Sequence, residues 1–404
     1  MLWIVNHYAQ APDGAGPVRH YSLARRLAEL GWTTIIIASS VELNTGRQRL
    51  PPGRRAVSED HAGVVFRWLR SPGYRDSGLA RIWNMLHFSF GALGTEATAG
   101  LPAPDLVLGS SVHPLAAWSA ERLARRHRVP FVFEIRDLWP EVLVAMGRLA
   151  RFSPATLLLR RLEASLCRRA AAIVAVVPFA ADYLGRYGVA DKVIWIPHGV
   201  DAEFMSPVPR AAPGTFTLTY LGAHGPYNSL DTLIDAMAIV RRDPAGGDVR
   251  CQLVGAGPSR DALRRRAAEL ELDNVAFRDP VPRREVSRIA AETDAFVLCT
   301  LDLPGVFRYG VSMNKLYDYM AMGRPAILAL AARNNPVAEA NAGMTVAPRQ
   351  PAALAEAILA LARTPPAERE AMGERARRHA RENYDYAVLA RRLAERLERC
   401  LAAA

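Results

Sequence analysis

The chain has little cysteine, and it has no long apolar run. Cys167, Cys251, Cys299 and Cys400 lie far apart and follow no metal-binding spacing, which predicts reduced thiols and argues against a disulfide framework or a zinc site. No apolar run reaches the roughly 18–20 residues that a bilayer span requires. Residues 1–6 lack the basic head and cleavage site of a signal peptide. We therefore expect a cytoplasmic protein without a membrane span or a bound metal.

The chain also has fewer acidic than basic residues. It carries 40 Asp and Glu against 51 Lys and Arg, a formal charge of +11. Such an excess suits nucleic acid, anionic lipid or phosphorylated substrates. The arginines are spread along helices with Glu nearby, and no basic stretch is interleaved with aromatics as in single-strand binders, so we expect no nucleic-acid partner. A merely Arg-rich composition is the alternative explanation of the charge.

Short apolar runs alternate with amphipathic helical patterns along the whole chain. This alternation is typical of parallel, doubly wound α/β sheets, and because it occurs twice it predicts two Rossmann-like domains. The predicted strands cover 2–6, 34–38, 64–69, 106–108, 131–135, 173–176, 193–196, 216–221, 251–254, 275–278, 295–299, 326–328 and 344–346. The predicted helices include 18–30, 113–126, 178–187, 230–242, 259–269, 284–292, 313–322 and 351–362.

The domain boundary is predicted from a proline-rich stretch at 197–214, which has the composition of a linker. The tail from Pro366 onward has no strand signal and is predicted as two helices. The predicted division is therefore a first domain over 1–200, a second over 201–365, and C-terminal helices over 366–404, the last of which crosses back to the first domain.

Polar residues follow several predicted strands of the first domain. Gly14 and Gly16 lie in the first strand-to-helix loop, where they allow close approach of a ligand to the backbone; a plain flexible loop is the alternative. Arg136, Asp137 and Glu141 follow the strand over 131–135. They suit an acceptor hydroxyl, which Asp137 or Glu141 would orient or deprotonate, or else a structural Arg–Glu network.

His113 follows the preceding strand, over 106–108, and is predicted at the same edge of the sheet. It is placed to enter a cleft between the two predicted domains, or else it merely begins the helix before Pro114.

Glycine turns also follow two strands of the second domain. Gly222 and His224 come directly after the strand over 216–221, where His224 either hydrogen-bonds a phosphate or hydroxyl or is an exposed loop histidine. Gly255 and Gly257 follow the strand over 251–254. They resemble half of a dinucleotide-binding turn, or else they only allow tight strand-to-helix packing.

The most informative segment is 307–325, in which a flexible turn leads into a helix. The turn and the first helical turns place backbone amides, a hydroxyl, an amide, a cation and a carboxylate around one helix N-terminus. That arrangement suits a ligand with a diphosphate at one end and a sugar diol at the other, as in a nucleotide-sugar. The candidate binding residues in this segment are Arg308, Gly310, Ser312, Asn314, Lys315 and Asp318.

Two stretches combine apolar and basic residues. The stretch over 79–90 is rich in aromatics, and the stretch over 148–169 carries three consecutive leucines flanked by arginines. Each suits a membrane interface, with its apolar face down and its arginines toward anionic headgroups. The alternative is that both are core-facing helices.

Taken in order, these motifs resemble glycosyltransferase family 4 of the GT-B enzymes. More narrowly, the chain is similar to bacterial cell-surface polysaccharide transferases that carry an Arg-Asp-Leu-Trp-Pro-Glu segment. The resemblance implies two Rossmann-like domains facing across a cleft, with the donor mainly in the second and the acceptor in the first. It is carried by the N-terminal glycine loop, 136–141, 196–201, Gly222, 255–258 and 310–325.

Asp318 matches the second acid of the family's Glu-x7-Glu element, which implies that it holds the donor ribose. The first acid of that element falls on Gly310, which has no carboxylate. The backbone amides after Gly310, with Ser312, would then hold the diphosphate.

Many family members carry an Arg and a Lys just after the glycine that matches Gly222, whereas residues 223–228 of this chain have no permanent cation. Lys315 and Arg308 are the nearest candidates to offset the charge of the leaving group.

The resemblance implies a metal-independent glycosyltransferase, of hexosyl or N-acetylhexosaminyl type, without a cofactor. It implies a nucleotide-sugar donor, most simply UDP-linked, and a polyprenyl-diphosphate-linked saccharide acceptor in O-antigen or capsule assembly, with retention. In that scheme Lys315, Asp137 and His113 are the catalytic candidates. The protein would be cytoplasmic and peripherally bound to the anionic inner leaflet. The alternatives are a nucleotide-sugar 2-epimerase of the same fold and a non-catalytic partner subunit.

Overall fold

The computed structural model describes residues 1–13, 18–42, 46–74, 78–201, 214–282 and 285–404. They form two compact units. Unit 1 comprises Met1–Gly199, Arg308–Ser312 and Tyr386–Ala404, and unit 2 comprises Val200–Phe307 and Met313–Asp385. Gly14 and Gly16 lie outside the described residues, as do three of the four prolines of the predicted linker, Pro207, Pro209 and Pro213.

Strands and helices alternate through most of the described chain. The strands are β1 Leu2–Val5, β2 Thr34–Ser39, β3 Ala56–His61, β4 Val64–Leu69, β5 Leu106–Ser110, β6 Phe131–Ile135, β7 Ala172–Ala175, β8 Val193–Trp195, β9 Phe216–Leu221, β10 Val249–Val254, β11 Val275–Arg278, β12 Ala295–Cys299, β13 Ala326–Ala329 and β14 Gly343–Val346. The helices are α1 Arg19–Ala28, α2 Leu79–Gly91, α3 Thr95–Thr98, α4 Pro114–His127, α5 Glu141–Ala145, α6 Pro154–Arg169, α7 Ala180–Leu184, α8 Leu230–Arg242, α9 Arg260–Glu269, α10 Val286–Ala291, α11 Pro304–Phe307, α12 Asn314–Ala321, α13 Pro336–Glu339, α14 Pro351–Arg363, α15 Pro366–Asn383 and α16 Tyr386–Ala402.

The sheet of unit 1 has the strand order β3-β4-β2-β1-β5-β6-β7-β8. Every neighbouring pair is parallel except β3 with β4, which is antiparallel. The central strands are buried along their whole length and mostly apolar, because helices cover both faces of the sheet. One face packs on residues of α2, α4, α6 and α7, and the other packs on α1 and α16.

The sheet of unit 2 has the order β11-β10-β9-β12-β13-β14, and all its pairs are parallel. Because β9 and β10 are parallel neighbours in this sheet, the turns that follow them lie side by side at one edge. Helix α8 places Leu230, Leu233, Ile234 and Met237 on one buried stripe, the helical spacing of a core-facing helix. None of the helices in the described part of either unit combines the length and apolarity of a membrane span.

The predicted fold class, two Rossmann-like parallel α/β domains, is confirmed. One segment departs from the predicted division, because Arg308–Ser312 packs with unit 1 and not with the residues around it. Tyr309 is buried in the apolar cluster of unit 1. Its carbonyl accepts a hydrogen bond from the amide of Phe179 (3.1 Å), and the Ser312 hydroxyl accepts one from the amide of His198 (2.8 Å).

Candidate functional site

Two glycine turns meet at the carboxyl edge of the unit 2 sheet. Gly222 follows β9 and Gly255 follows β10, and parallel strands bring such turns together at the edge where α/β sheets bind ligands. The amide of Gly222 donates to the carbonyl of Val254 (3.0 Å), and the amide of His224 donates to that of Ala256 (2.8 Å). The two turns therefore form one hydrogen-bonded surface.

Close backbone packing explains why glycine occupies these positions. Gly222 has φ +152°, a conformation that side chains rarely adopt. A Cβ on Gly255 would lie 2.0 Å from the carbonyl oxygen of Gly222, and one on Gly257 would lie 2.5 Å from that of His224. Gly255 and Gly257 are thus required for the contact between the turns, whether or not they also contact a ligand.

Lys315 brings a cation to this edge from the first turn of α12. Its ammonium donates to the hydroxyl of Tyr220 (2.8 Å) and to the side-chain oxygen of Asn228 (2.6 Å). A Cβ on Gly222 would lie 3.3 Å from Nζ, so the ammonium lies directly above the first glycine turn. Among the described residues, no carboxylate pairs with Lys315. Burial lowers its pKa to about 8, which leaves it mostly protonated at neutral pH.

His224 is a buried residue of the same edge, not the exposed loop histidine that was one of the two expectations. Neither ring nitrogen has a hydrogen-bond partner among the described residues. Burial, with the nearby charges of Arg260 and Lys315, lowers the pKa of His224 to about 4. The imidazole is therefore neutral at pH 7, and it supplies hydrogen-bonding capacity without charge.

The remaining donor candidates fall into two groups. Asn314 and Asp318 lie on α12 with Lys315, partly buried and about one turn apart. Arg308, Gly310 and Ser312 belong to unit 1, where the exposed Arg308 guanidinium lies 4.6 Å from the centre of the Tyr309 ring. Gly310 has φ +89°, which glycine adopts without strain. The donor-binding roles of both groups stay predictions.

The acceptor candidates of unit 1 follow β6. Arg136 is partly buried, and its amide donates to the hydroxyl of Ser111 (3.2 Å), which ties the turns after β5 and β6 together. Asp137 is exposed at the same edge. Its side chain is therefore accessible to a hydroxyl of a ligand, and its catalytic role stays a prediction.

Glu141 takes part in a structural ion pair. Both of its oxygens accept hydrogen bonds from Arg160, at 2.9 and 3.0 Å, and Arg186 lies 3.4 Å away. Although burial opposes ionisation, these arginines lower the pKa of Glu141. This bidentate pair is the Arg–Glu arrangement that the sequence left open as the alternative for this residue.

His113 caps α4 and pairs with a second histidine. Its Nδ1 accepts from the amide of Ala116 (3.3 Å), so Nε2 carries the proton and donates to Nδ1 of His7 (2.7 Å). The side chain is 2% exposed. Burial, with the charge of Arg81, lowers its pKa to about 3, so it is neutral at pH 7. A direct contact with a ligand would require it to move.

A buried polar network at the carboxyl edge of unit 1 escaped the sequence analysis. Glu134, at the end of β6, accepts from Arg19 (2.9 Å) and from His20 (2.8 Å), and Asn6 donates to the other nitrogen of His20 (2.8 Å). Arg19 also donates to the carbonyls of Ile196 and Pro197. Although burial opposes ionisation, His20 and Arg19 hold the pKa of Glu134 well below its ordinary value.

A signal for this network did exist in the sequence. A charged residue, Glu134, interrupts an otherwise apolar strand, and two basic residues, Arg19 and His20, begin the helix that follows β1. A buried charge requires a partner.

The two edges differ in what they offer a ligand. Unit 2 presents a partly buried cation and a neutral imidazole beside two glycine turns, which suits an anionic group. Unit 1 presents an exposed carboxylate beside a compensated network. Within the described residues, no three His, Cys, Asp or Glu side chains are grouped so that they could hold a metal ion.

Comparison with known families covers most of the chain. Residues 17–204 match the model of Glycosyltransferase Family 4, and residues 215–364 match that of Glycosyl transferases group 1. A Pseudomonas aeruginosa protein named "Probable glycosyltransferase WbjE" is 26% identical over 375 residues, which cover 88% of each protein.

Solved structures show the same architecture. Sucrose-phosphate synthase from Thermosynechococcus elongatus superposes with a TM-score of 0.75 at 18% identity, covering 100% of this chain and 99% of that one. HepE from Anabaena, solved in complex with UDP and glucose, gives a TM-score of 0.65 at 15% identity, covering 98% and 99%. Two Rossmann-like units and these neighbours define the GT-B class of fold. Within that class, the chain belongs to glycosyltransferase family 4.

Proposed function

We propose that this glycosyltransferase moves a hexosyl or N-acetylhexosaminyl group from a UDP-linked sugar to a polyprenyl-diphosphate-linked saccharide. The reaction serves O-antigen or capsule assembly at the cytoplasmic face of the membrane. It proceeds with retention and without a metal. The observation that carries the donor part is the ammonium of Lys315, which lies above the Gly222 turn with no carboxylate partner among the described residues.

The donor's diphosphate fits this cation because an ammonium held by neutral groups keeps its full charge for an anion. Asp318, about one turn further along α12, supplies the carboxylate that accepts the ribose hydroxyls. UDP as the nucleotide is supported by HepE, which was crystallised with UDP-glucose. The relative WbjE supports a bacterial glycosyltransferase role without naming a substrate.

The transfer step needs little proton machinery from the protein. The bond between the sugar C1 and the diphosphate oxygen breaks, the acceptor oxygen bonds to C1 on the same face, and the acceptor proton passes to the departing phosphate. Lys315 offsets the charge that develops on that phosphate. Asp137, exposed at the edge of unit 1, orients the acceptor hydroxyl, and Arg136 lies beside it on the acceptor side. His113 is a positioning residue that acts through His7.

Exposed apolar side chains on unit 1 support a membrane-bound acceptor. Trp83 and Phe90 on α2 are 60% and 62% exposed, and Leu158 on α6 is 65% exposed. Both helices pack against α4, which places them in one layer. Arg151, just before α6, and Arg161, on α6, are exposed as well. Such a combination suits the interface of an anionic leaflet.

Donor turnover tests the enzymatic part of the proposal. We expect the purified protein with a panel of UDP- and GDP-sugars to show transfer to a lipid-linked saccharide, and slower donor hydrolysis without one. Lys315→Ala and Asp318→Ala should each abolish most of this turnover. Lys192→Ala is the matched control, because Lys192 binds the carbonyls of Arg168 and Ala170 in unit 1.

Three results would contradict the proposal. Unchanged transfer in both α12 variants would remove the donor assignment. Conversion of the donor to its C2 epimer without acceptor would favour the epimerase. Binding without turnover of any donor would favour the partner subunit. The anomeric configuration of the product, read by NMR, tests retention.

Vesicle binding tests the membrane part separately. We expect the protein to sediment with anionic vesicles at low salt and to be released as salt is raised. Trp83→Ser with Leu158→Ser should weaken sedimentation, whereas Ile239→Ser, an exposed apolar residue of unit 2, should not. Equal sedimentation with neutral and anionic vesicles, or none at low salt, would contradict the proposed site.

A further inference from the structure

A closed ring of hydrogen bonds joins Lys315 to the turn after β9. The ammonium donates to Tyr220 (2.8 Å) and to Asn228 (2.6 Å). Tyr220 and Asn228 in turn each donate to the carbonyl of Ala223, at 2.7 and 2.8 Å. All four residues belong to unit 2.

We infer that Tyr220 and Asn228 are positioning residues that hold the Lys315 ammonium over the Gly222 turn, where it binds the diphosphate of the donor. This inference rests on the proposed glycosyltransferase donor site and adds to it the two side chains that place its cation. Neither residue touches the reacting atoms in this account.

The direction of each hydrogen bond follows from the donors available. The Tyr220 hydroxyl gives its only proton to Ala223, so its oxygen accepts from the ammonium. The Asn228 amide nitrogen also donates to Ala223, which turns its oxygen toward Lys315. The ammonium has three protons, and these two acceptors take two of them. The third has no acceptor among the described residues, so it is available to a ligand oxygen.

Both side chains that accept from the Lys315 ammonium are neutral, so they position the ammonium without neutralising its charge. A carboxylate in place of Asn228 would hold the ammonium equally well, but it would cancel the charge and compete with a diphosphate. The ring also includes an aromatic face, since the ammonium lies 4.9 Å from the centre of the Tyr220 ring. The geometry thus fixes a cation in place while leaving its charge uncompensated.

The turn needs this cation because it contains none of its own. Residues 223–228 are Ala, His, Gly, Pro, Tyr and Asn, and the one titratable imidazole, His224, is neutral at pH 7. The ring therefore holds the positive charge of a residue on α12 at the turn after β9. A Cβ at Gly222 would lie 3.3 Å from both Cε and Nζ of Lys315, so the lysine side chain itself packs on the turn.

Lysine NMR tests this inference directly, because the chain has two lysines, Lys192 and Lys315. Labelling lysine with ¹³C at Cε should give one signal for each lysine, which Lys192→Arg assigns. We expect the Lys315 signal to titrate near pH 8. Saturating UDP should raise the Lys315 midpoint by one pH unit or more, a shift of about tenfold in proton affinity.

Three variants separate positioning from a structural role. Tyr220→Phe and Asn228→Leu should each lower the Lys315 midpoint and weaken UDP binding by about tenfold, because each removes one acceptor from the charged form. Asn228→Asp should raise the midpoint and still weaken UDP binding. The Lys315 midpoint would then fall in Tyr220→Phe and Asn228→Leu and rise in Asn228→Asp, while UDP affinity falls in all three. That combination shows that UDP binding requires the ammonium to be held in position and also to keep its charge uncompensated.

Two outcomes would overturn the inference. The first is a Lys315 midpoint and a UDP affinity that stay within twofold of the native values in both Tyr220→Phe and Asn228→Leu. The second is tighter UDP binding in Asn228→Asp. Hydrogen exchange at β9 and α12 checks that each variant is folded, and two independent variants guard against failure of one. If the native protein binds neither UDP nor GDP, the proposed function fails, whereas the lysine titration still reports whether the ring positions the ammonium.

Discussion

Buried charged side chains have different kinds of hydrogen-bond partner at the carboxyl edges of the two sheets. In unit 1, Arg19 and Glu134 are each 1% exposed and form an ion pair at 2.9 Å, with His20 and two backbone carbonyls completing their hydrogen bonds. In unit 2, the Lys315 ammonium has two neutral acceptors and, in the described part of the chain, no carboxylate.

This difference indicates which charges belong to the scaffold and which are kept for a ligand. A buried pair that is fully satisfied holds loops together, and removing one member leaves the other unpaired at high cost. A partly buried cation without a counter-ion gains most when an anion arrives. Perturbed groups of the second kind mark functional sites more often than those of the first.

The largest expected effect on stability comes from removing one member of the compensated ion pair in unit 1. Glu134→Leu leaves the Arg19 guanidinium buried without its counter-ion, so we expect unit 1 to lose about 3–5 kcal/mol of unfolding free energy. Hydrogen exchange at β5, β6 and β7 in a urea series measures the loss within that unit. The control is Asp235→Ala, which removes a partly exposed pair with Arg266 in unit 2 and should cost less than about 1 kcal/mol. Equal effects of the two variants would refute the scaffold role of Glu134.

A smaller effect follows from the pH dependence of the neutral histidines in unit 1. The folded pKa of His113, about 3, lies below its unfolded value near 6.5. Its contribution is therefore fully present above about pH 6.5 and is lost as pH falls toward 3, because the unfolded chain binds the extra proton. Between about pH 7 and pH 5 we expect unit 1 to lose about 2 kcal/mol from His113 alone.

His113→Asn isolates this contribution, since Asn retains an N-cap but does not titrate. The slope of unfolding free energy against pH should become shallower in the variant, while His7, His20 and His198, whose pKa values are also lowered by burial, keep part of it. An identical slope in both proteins would show that His113 is not the neutral buried group described above.

A still smaller change in stability is expected when the uncompensated cation, Lys315, is removed. Lys315→Met removes a cation whose burial is itself unfavourable, so the unfolding free energy of unit 2 should change by less than about 1 kcal/mol in either direction. Hydrogen exchange at α12 and β9 provides the measurement. A loss as large as that of Glu134→Leu would mean that Lys315 is a structural residue, and the contrast between the two edges would disappear.

The smallest effect concerns the partly exposed Glu141–Arg160 pair. Glu141→Gln should cost less than about 1 kcal/mol of unfolding free energy and leave the rate of transfer unchanged, because Arg160 and Arg186 already occupy the carboxylate. The two readouts are urea unfolding and transfer to a lipid-linked acceptor. A slower transfer with unchanged stability would assign Glu141 to the acceptor after all.

Most of the fold could be predicted because buried parallel strands are apolar along most of their length. The runs that became β4, β6, β9, β11 and β12 were predicted with the bounds that the structure shows. The antiparallel edge strand β3 was missed, since Ala56–His61 carries Ser, Glu and Asp and pairs on one side only. A strand of this kind is specified by its partner β4 more than by its own sequence.

The candidate site could be predicted only where its residues are close in sequence. Lys315 and Asp318 were both predicted as donor-site residues because they share one helix start, and their roles stay predictions. The ring that holds Lys315 was missed, since Tyr220 and Asn228 lie 95 and 87 residues away and only the folded sheet brings them together. The Arg19–Glu134 pair was missed for the same reason, since its members lie 115 residues apart.

The segment Arg308–Ser312 shows a different limit of the sequence. It is contiguous with α12, yet its packing follows Tyr309, which the apolar cluster of unit 1 buries. A loop sequence specifies its turns, whereas the place where it packs depends on a pocket formed by distant residues.

The affinity for UDP reports directly whether the Lys315 ammonium binds the donor diphosphate. Isothermal calorimetry on the native protein, Lys315→Met and the control Lys192→Met requires no acceptor and no turnover. We expect Lys315→Met to weaken UDP binding on the order of 100-fold, because the diphosphate loses its partly buried cation, while Lys192→Met binds as the native protein does. Native affinity in Lys315→Met, with unit 2 folded by hydrogen exchange, would contradict it.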